Sequence, residues 1–137
     1  MEADCIEVVP VKVIGKIDRA MFAGIAPEIV TDEVILTPER VEHIRQRHPE
    51  DYDRYRQYLQ AVITAPDYII RDRRPATAIL LKELQLADDM PRICLALRLV
   101  TPEDRQDRKN SVITFWKVKK KEYNRLIRNR EVLYKRG

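Results

Sequence analysis

The chain has two histidines, His43 and His48, and both lie in one short segment, TPERVEHIRQRHP at 37–49. Thr37 is suited to cap a helix, and Pro38 fits the first helical position, where no intrahelical N–H is needed. The segment therefore predicts a helix that begins just after Thr37 and carries both imidazoles.

The end of this helix determines what its histidines face. Pro49 disfavours helical backbone at the residue before it, so the helix is predicted to stop at His48. Helical spacing puts His48 on the apolar stripe, seven residues after Val41, and puts His43 and Arg47 on the flank as an i, i+4 pair. A histidine on the inner side of a helix end is either hydrogen-bonded in the core or faces a cleft. His43 is either part of the same site or an ordinary surface residue.

Histidine, arginine, lysine and hydroxyl side chains suit one reaction in particular, metal-free cleavage of RNA by its own 2′-hydroxyl group. That reaction needs a base for the 2′-OH, an acid for the departing 5′ oxygen, and donors around the phosphorane. Histidine titrates near neutral pH and serves in either proton role. Arginine, lysine, serine and threonine hold phosphate oxygens.

Several other chemistries are disfavoured by composition. The three glycines form no phosphate-binding loop, and no HExxH or Cys/His cluster has metal-ligand spacing. The acidic pairs 88–89 and 103–104 fall in predicted loops and have the character of turn residues. We therefore expect no metal and no cofactor. Cys5 and Cys94 form no disulfide framework, which indicates a reducing compartment.

Length and composition predict a single domain over residues 1–137 of a globular protein. Apolar residues make up 45% and charged residues 35%. No run of about 18 apolar residues is present, and the acidic N-terminus has no basic region of the kind a secretory signal carries. These features predict no membrane association and a cytoplasmic location.

Positive charge is concentrated near the C-terminus. Residues 117–137 contain nine basic residues and two glutamates, so this segment carries +7 while the rest carries −3, for a total of +4. A basic end on a slightly acidic body indicates a polyanion partner, or else a solvated helix face. We predict that RNA is bound by Arg47, Lys82, Lys117, Lys120 and Arg125.

Hydrophobic periodicity predicts an α+β order of elements, with N-terminal strands and two helices, then a roughly four-stranded antiparallel sheet and a C-terminal helix. The predicted helices cover 18–23 (short), 37–48, 50–65 and 119–129. The predicted strands cover 8–17, 29–36, 68–71, 77–84, 93–100 and 111–118, with a short closing strand or tail at 131–134. The tyrosines of the second long helix are interpreted as packing residues rather than a base-stacking platform.

Alternation along two of these strands predicts their faces. In 93–99, the leucine-rich face is predicted to be core. Cys94, Ala96 and Arg98 share the other face, where the two small side chains leave space for another element or a ligand to pack. In 111–117, Ser111 and Thr114 point opposite ways in a regular strand, and only a bulge or a strand-end bend brings them together.

At this point the chain resembles phage-associated nuclease-fold domains, the group named for barnase, EndoU, colicin and RelE. The resemblance covers about residues 12–136, and the paired signals HIxxRHP and NSxITFW are its most specific part. It rests on the segments GKID (15–18), TDEVILTPERVEHIRQRHP (31–49), DYDRYRQYLQAVITAPDYII (51–70), ICLALRL (93–99), NSVITFWKVKKKEYNRLIRN (110–129) and VLYKR (132–136).

This resemblance implies helices followed by an antiparallel sheet with the site on one face, and a metal-independent endoribonuclease activity. It implies site roles for residues of the helical motif and of the strands, namely His43, Arg47, His48, Arg98, Ser111 and Thr114. Which histidine is acid and which is base stays open.

Two other interpretations remain. The same fold is also consistent with a module that binds nucleic acid without cleaving it, or that docks on a phage head protein. A third interpretation keeps the chemistry and makes the domain a toxin controlled by an immunity or antitoxin partner.

Overall fold

The computed structural model describes residues 12–137, in which one sheet of seven strands is flanked by four α-helices. The strands are β1 (Lys12–Lys16), β2 (Glu33–Leu36), β3 (Tyr68–Arg71), β4 (Thr77–Glu83), β5 (Arg92–Arg98), β6 (Asn110–Val118) and β7 (Val132–Lys135). The helices are α1 (Pro38–Arg47), α2 (Pro49–Tyr55), α3 (Leu59–Thr64) and α4 (Lys120–Asn129), with short 3-10 helices at Arg19–Phe22 and Arg56–Tyr58. Residues 8–11 of the first predicted strand, and Cys5, lie outside the described residues.

The strand order is β1-β2-β6-β5-β4-β3-β7, and every neighbouring pair is antiparallel except β2 and β6. The α+β class is confirmed, but the prediction of a four-stranded sheet is wrong. The N-terminal hairpin of β1 and β2 joins the main sheet through a short parallel pairing of β2 with β6, and β7 adds to the other side of β3. Such pairings between distant segments leave no local pattern in the sequence.

The first long helix forms as its sequence predicts. The side chain of Thr37 accepts a hydrogen bond from the Arg40 N–H at 3.2 Å, Pro38 takes the first position, and the helix ends at Arg47. The short helix predicted at 18–23 is the 3-10 helix, capped by Asp18.

The predicted helix over 50–65 is wrong as a single element. It is divided into α2 and α3 by the 3-10 turn at Arg56–Tyr58. The two parts cover different strands, since α2 contacts β6 while α3 contacts β1 and β4. The turn lets one stretch of chain cross the sheet. The tyrosines of α2, Tyr52 and Tyr55, are buried in the core as predicted.

The sheet has two faces with different cover. We call the face packed against α1–α3 the inner face; it carries Ile93, Leu95, Leu97 and Leu99, all fully buried as predicted. We call the other the outer face. Helix α4 covers one half of it, with Tyr123, Leu126 and Ile127 packed over Cys94, Ile79 and Leu81. The space left by the small side chain of Cys94 is therefore occupied by the C-terminal helix.

Within residues 12–137, no helix is both long enough and apolar enough to cross a bilayer.

Candidate active site

A β-bulge in β6 determines which side chains share the outer face. The register runs Arg98↔Ser111 and Leu97↔Val112, and then Ala96↔Thr114, so that Ile113 is an extra residue on β6. Residues paired across a ladder point to the same face, and Ala96 and Arg98 lie two apart on β5. Ser111 and Thr114 therefore point to the same side, together with Arg98. The bulge is the irregularity that the sequence pattern required for this arrangement.

Beyond the bulge, Trp116 pairs with Cys94 and continues the same row along the outer face. Arg98, Ser111, Thr114 and Trp116 are all partly exposed, and Trp116 packs against the apolar cluster that α4 covers. Ala96 lies among them and is only 1% exposed, so the larger side chains around it cover its methyl group.

His48 reaches this row from the neighbouring helices. Its backbone closes α1 and opens α2, because its N–H donates to the Ile44 carbonyl at 2.7 Å and its carbonyl accepts from the Tyr52 N–H at 3.0 Å. Its imidazole stacks on the indole of Trp116, with ring centroids 5.8 Å apart and planes 16° from parallel. The ring is half-exposed, and neither of its nitrogens has a hydrogen bond to any of residues 12–137.

The pairing along the edge of β6 explains how the end of α1, which carries His48, comes close to Trp116. β2 pairs with β6 only at Asn110 and Ser111, so within the described part of the chain the rest of β6 has no strand on that side. Helices α1 and α2 follow directly and contact β6 there, and Asp51 accepts the Lys117 N–H at 3.1 Å. Trp116, on which His48 stacks, lies two residues after Thr114 on β6, which is about 7 Å along the strand.

Arg98 is held in place by a carboxylate. Its Nη2 lies 2.9 Å from Asp104 Oδ1 and its Nη1 lies 3.4 Å from Oδ2, while Nη1 also donates to the Leu99 carbonyl. Asp104 accepts further hydrogen bonds from the Thr101 N–H at 2.8 Å and the Thr101 hydroxyl at 3.2 Å. The backbone hydrogen bond from Thr101, followed by the Arg98 guanidinium, holds the pKa of Asp104 below its usual value. The guanidinium is thus held to the loop that follows β5, while the Arg98 backbone pairs with Ser111 on β6.

Asn110, next to Ser111, joins the site strand to the rest of the sheet. Its side chain is fully buried; Oδ1 accepts the Val100 N–H at 2.8 Å and Nδ2 donates to the Thr31 carbonyl at 2.7 Å. These two bonds fix the start of β6 against the segments that precede β2 and follow β5.

His43 and Arg47 lie on the flank of α1 that turns away from Val41 and Arg45. His43 is half-buried and Arg47 is exposed. Neither side chain has a hydrogen bond or ion pair with another of residues 12–137.

The predicted RNA-contacting lysines of the strands are separated from this row. Lys82 and Lys117 belong to the inner-face register. The Lys82 side chain is 13% exposed and its amine donates to the Ala65 carbonyl at 2.6 Å. Lys117 Nζ lies 3.9 Å from Asp89. Lys82 therefore has a structural partner already and is not brought to the row on the outer face.

The two predicted contacts on α4 are exposed. Lys120 is in its first turn, and Arg125 makes two hydrogen bonds to Glu122, at 2.9 and 2.8 Å. They lie on the helix that borders the open half of the outer face. Among residues 12–137, no group of three or more His, Cys, Asp or Glu side chains is close enough to hold a metal ion.

Three residues of this site were not singled out from the sequence: Trp116, Asp104 and Asn110. Trp116 was assigned only to a strand face, although it is the single tryptophan of the chain. Asp104 was interpreted as a turn residue, and only its pairing with Arg98 six residues earlier reveals its role. We call His48, Arg98, Ser111, Thr114 and Trp116 the outer-face site.

Comparisons with known proteins bear on this arrangement. No curated protein and no solved structure gives a significant match to the chain. One family model matches residues 12–135, which is nearly all of the described fold and includes every residue of the outer-face site. The chain belongs to the family described as phage-Barnase-EndoU-ColicinE5/D-RelE like nuclease2.

Proposed function

We propose that this nuclease-family domain is an endoribonuclease that uses the outer-face site and needs no metal ion. The observation that supports the proposal is the bulge in β6, which puts two hydroxyl groups and a guanidinium on the same face as Trp116, the residue on which the His48 imidazole stacks. Those groups are the ones that cleavage by a ribose 2′-OH requires.

In the proposed reaction, the 2′-oxygen attacks the adjacent phosphorus and the bond from phosphorus to the 5′ oxygen breaks. A base removes the 2′-OH proton, and an acid supplies a proton to the departing 5′ oxygen. The products are a 2′,3′-cyclic phosphate and a free 5′-hydroxyl. Proton balance is restored when the two groups exchange their protons with water.

We assign one proton transfer to His48, whose ring is oriented by stacking on Trp116. His43 is the candidate for the complementary transfer, since it lies on the flank of the same helix. Arg98 and the hydroxyl groups of Ser111 and Thr114 would bind the phosphate oxygens, where charge develops in the transition state.

Strand guidance is assigned to exposed cations at the margins of the site, namely Arg47, Lys120 and Arg125. Contacts of this kind neutralise phosphates and release counterions, so binding weakens steeply as salt increases. Lys82 and Lys117 are less favoured for this role because they face the other side of the sheet.

The test is cleavage of end-labelled single-stranded RNA by the purified full chain in the presence of a chelator. We expect wild-type protein to produce 2′,3′-cyclic phosphate ends, and His48→Gln to lower the rate by about 10²–10⁴. Gln46→Ala, an exposed change on the same helix, is the matched control and should leave the rate unchanged. A substrate with 2′-deoxyribose throughout should not be cut.

Inactivity of the wild type on every RNA class, or equal rates for His48→Gln and wild type, would refute the catalytic assignment. Cleavage of the 2′-deoxy substrate would show that a different nucleophile is used.

Binding without cleavage is the second candidate, and one observation favours it. The charge of Arg98 is already matched by Asp104, and a guanidinium so engaged is a weaker ligand for the transition state than a free one. Wild type and His48→Gln would then bind RNA equally, in a salt-dependent manner, with no cyclic phosphate formed.

A further inference from the structure

A concave surface lies on the other flank of α1, away from His43 and Arg47. It is a cleft of about 790 Å³ between β1, α1 and the α2–α3 region. Because α1 separates this cleft from the outer-face site, an occupant of one does not fill the other. Nothing in the proposed cleavage reaction uses this cleft.

The rim of the cleft is positively charged. Lys12, Arg45 and Arg56 line it and are exposed, and none of them forms an ion pair with another of residues 12–137. Glu42 is the acidic residue in the lining, and its carboxylate accepts from Gln46 on its own helix. Two net positive charges in a concave surface favour an anionic occupant.

The floor of the cleft is aliphatic. Leu36, Val41 and Leu59 line it, and Val13 at its margin is 46% exposed, one of the few large apolar side chains of the fold that is so open. An aliphatic floor below a cationic rim selects a ligand that carries both acidic and apolar groups.

Strand β1 forms one wall of the cleft and ends the sheet. It pairs with β2 on one side, and no strand within residues 12–137 pairs with its other side. An edge of this kind presents main-chain N–H and C=O groups to an extended segment of another chain.

The lining argues against RNA as the occupant. Nucleic-acid bases stack on exposed aromatic rings, whereas the aromatic residue of this cleft, Tyr52, is only 7% exposed. The Arg45 guanidinium lies 4.8 Å from the centre of its ring and covers it. A base would have no ring to stack on, but aliphatic side chains would find matching surface.

We propose that this cleft binds an extended segment of a partner protein in which acidic and aliphatic residues alternate. The acidic side chains pair with Lys12, Arg45 and Arg56, and the aliphatic ones cover the apolar floor. The segment lies along the edge of β1 that pairs with no strand within residues 12–137, and the outer-face site stays open to substrate while it is bound.

The experiment uses the full chain and a fluorescein-labelled probe peptide that repeats Val-Glu-Ile-Asp, with binding measured by fluorescence anisotropy. The double variant Arg45→Glu/Arg56→Glu reverses two exposed charges of the rim. We expect it to bind the peptide about tenfold more weakly or worse, and circular dichroism confirms that it is folded. Arg40→Glu changes the same charge on the other flank of α1 and should bind as wild type does.

Two further probes distinguish an acidic peptide from other possible occupants of the cleft. A peptide with lysine in place of each acidic residue should not bind, and a single-stranded RNA oligonucleotide should not compete with the acidic peptide. Equal peptide affinity for the wild type and the double variant would overturn the proposal, as would competition by RNA or the absence of binding. None of these outcomes depends on whether the domain cleaves RNA.

Discussion

Replacing Asp104 with asparagine tests whether Arg98 is held by a charge or only by shape. The substitution keeps the volume of the side chain but replaces a carboxylate oxygen with an NH₂ group. If the amide oxygen keeps the two bonds from Thr101, the amide nitrogen faces Arg98 Nη2, which now lies 2.9 Å from Asp104 Oδ1. A donor then faces a donor, and the ion pair is lost.

The expected loss of stability in Asp104→Asn follows from how far the side chains of Arg98 and Asp104 are exposed to solvent. Charge-assisted hydrogen bonds contribute about 1.5–3 kcal/mol when buried, whereas exposed ion pairs contribute about 0.2–1 kcal/mol. The side chains of Arg98 and Asp104 are 36% and 20% exposed, between these limits. We expect Asp104→Asn to lower the free energy of unfolding by about 1–2 kcal/mol, which lowers Tm by roughly 3–8 °C in a chain of this length.

The dependence on pH makes the test specific. The folded state lowers the pKa of Asp104 below that of the unfolded chain, so its stabilisation is complete above the unfolded value, about 3.9. It is lost as the pH falls through the folded-state pKa. The gap in Tm between wild type and variant should therefore be full at pH 7 and shrink progressively below pH 4.

Thermal unfolding followed by circular dichroism from pH 7 to pH 2 provides the measurement. Glu103→Gln is the matched control, because Glu103 is exposed in the same loop and has no hydrogen bond to any of residues 12–137. It should leave Tm within about 1 °C of wild type. If Asp104→Asn and Glu103→Gln give the same curves at every pH, the carboxylate does not hold Arg98 and our account of that side of the site is wrong.

Three further predictions concern the framework around the site. Ala76 has a positive φ of 50°, which costs a residue with a Cβ about 1–2 kcal/mol. Ala76→Gly should therefore raise the free energy of unfolding, measured in urea, by about 0.5–1 kcal/mol after the greater chain entropy of glycine is counted. A variant no more stable than wild type would contradict the assigned strain. Asn110→Ala leaves the buried Val100 N–H and the partly buried Thr31 carbonyl without partners and should cost about 2–4 kcal/mol by the same measurement. Asn124→Ala, an exposed change on α4, should cost less than about 0.5 kcal/mol. Cys94 is fully buried, and burial raises its pKa to about 12; in a Cys5→Ser variant, a thiol reagent should therefore label the native protein only as fast as it unfolds, and rapid labelling at pH 8 would contradict the packing of α4.

The local elements of the fold were predictable because their causes are local. Thr37, Pro38 and Pro49 bound α1 through capping and the restricted backbone of proline, and alternation assigned the leucines of β5 to the core. The parallel pairing of β2 with β6 was not predictable, because it joins residues more than 70 positions apart and involves only two residue pairs. The addition of β7 to β3 was missed for the same reason.

The residues of the candidate site were chosen from the sequence, whereas their arrangement was not predictable from it. Residue type and family resemblance selected His48, Arg98, Ser111 and Thr114. A strict period of two separates Ser111 from Thr114, and whether Ile113 is the extra residue of a bulge depends on the register of the neighbouring strand. Similarly, the stacking of His48 on Trp116 depends on where α1 lies relative to β6, which is a tertiary property.

Three features occur at one place in the sheet, and together they shape the candidate site. β2 ends its pairing with β6 at Ser111, the bulge follows within two residues, and α1 occupies the side of β6 that β2 has left. A longer β2 would fill that side and keep His48 away from Trp116. A regular β6 would turn one hydroxyl group to the inner face, where α1–α3 would bury it. The short parallel pairing and the extra residue therefore have a common consequence, which is an exposed row of polar side chains next to a helix end that carries an imidazole.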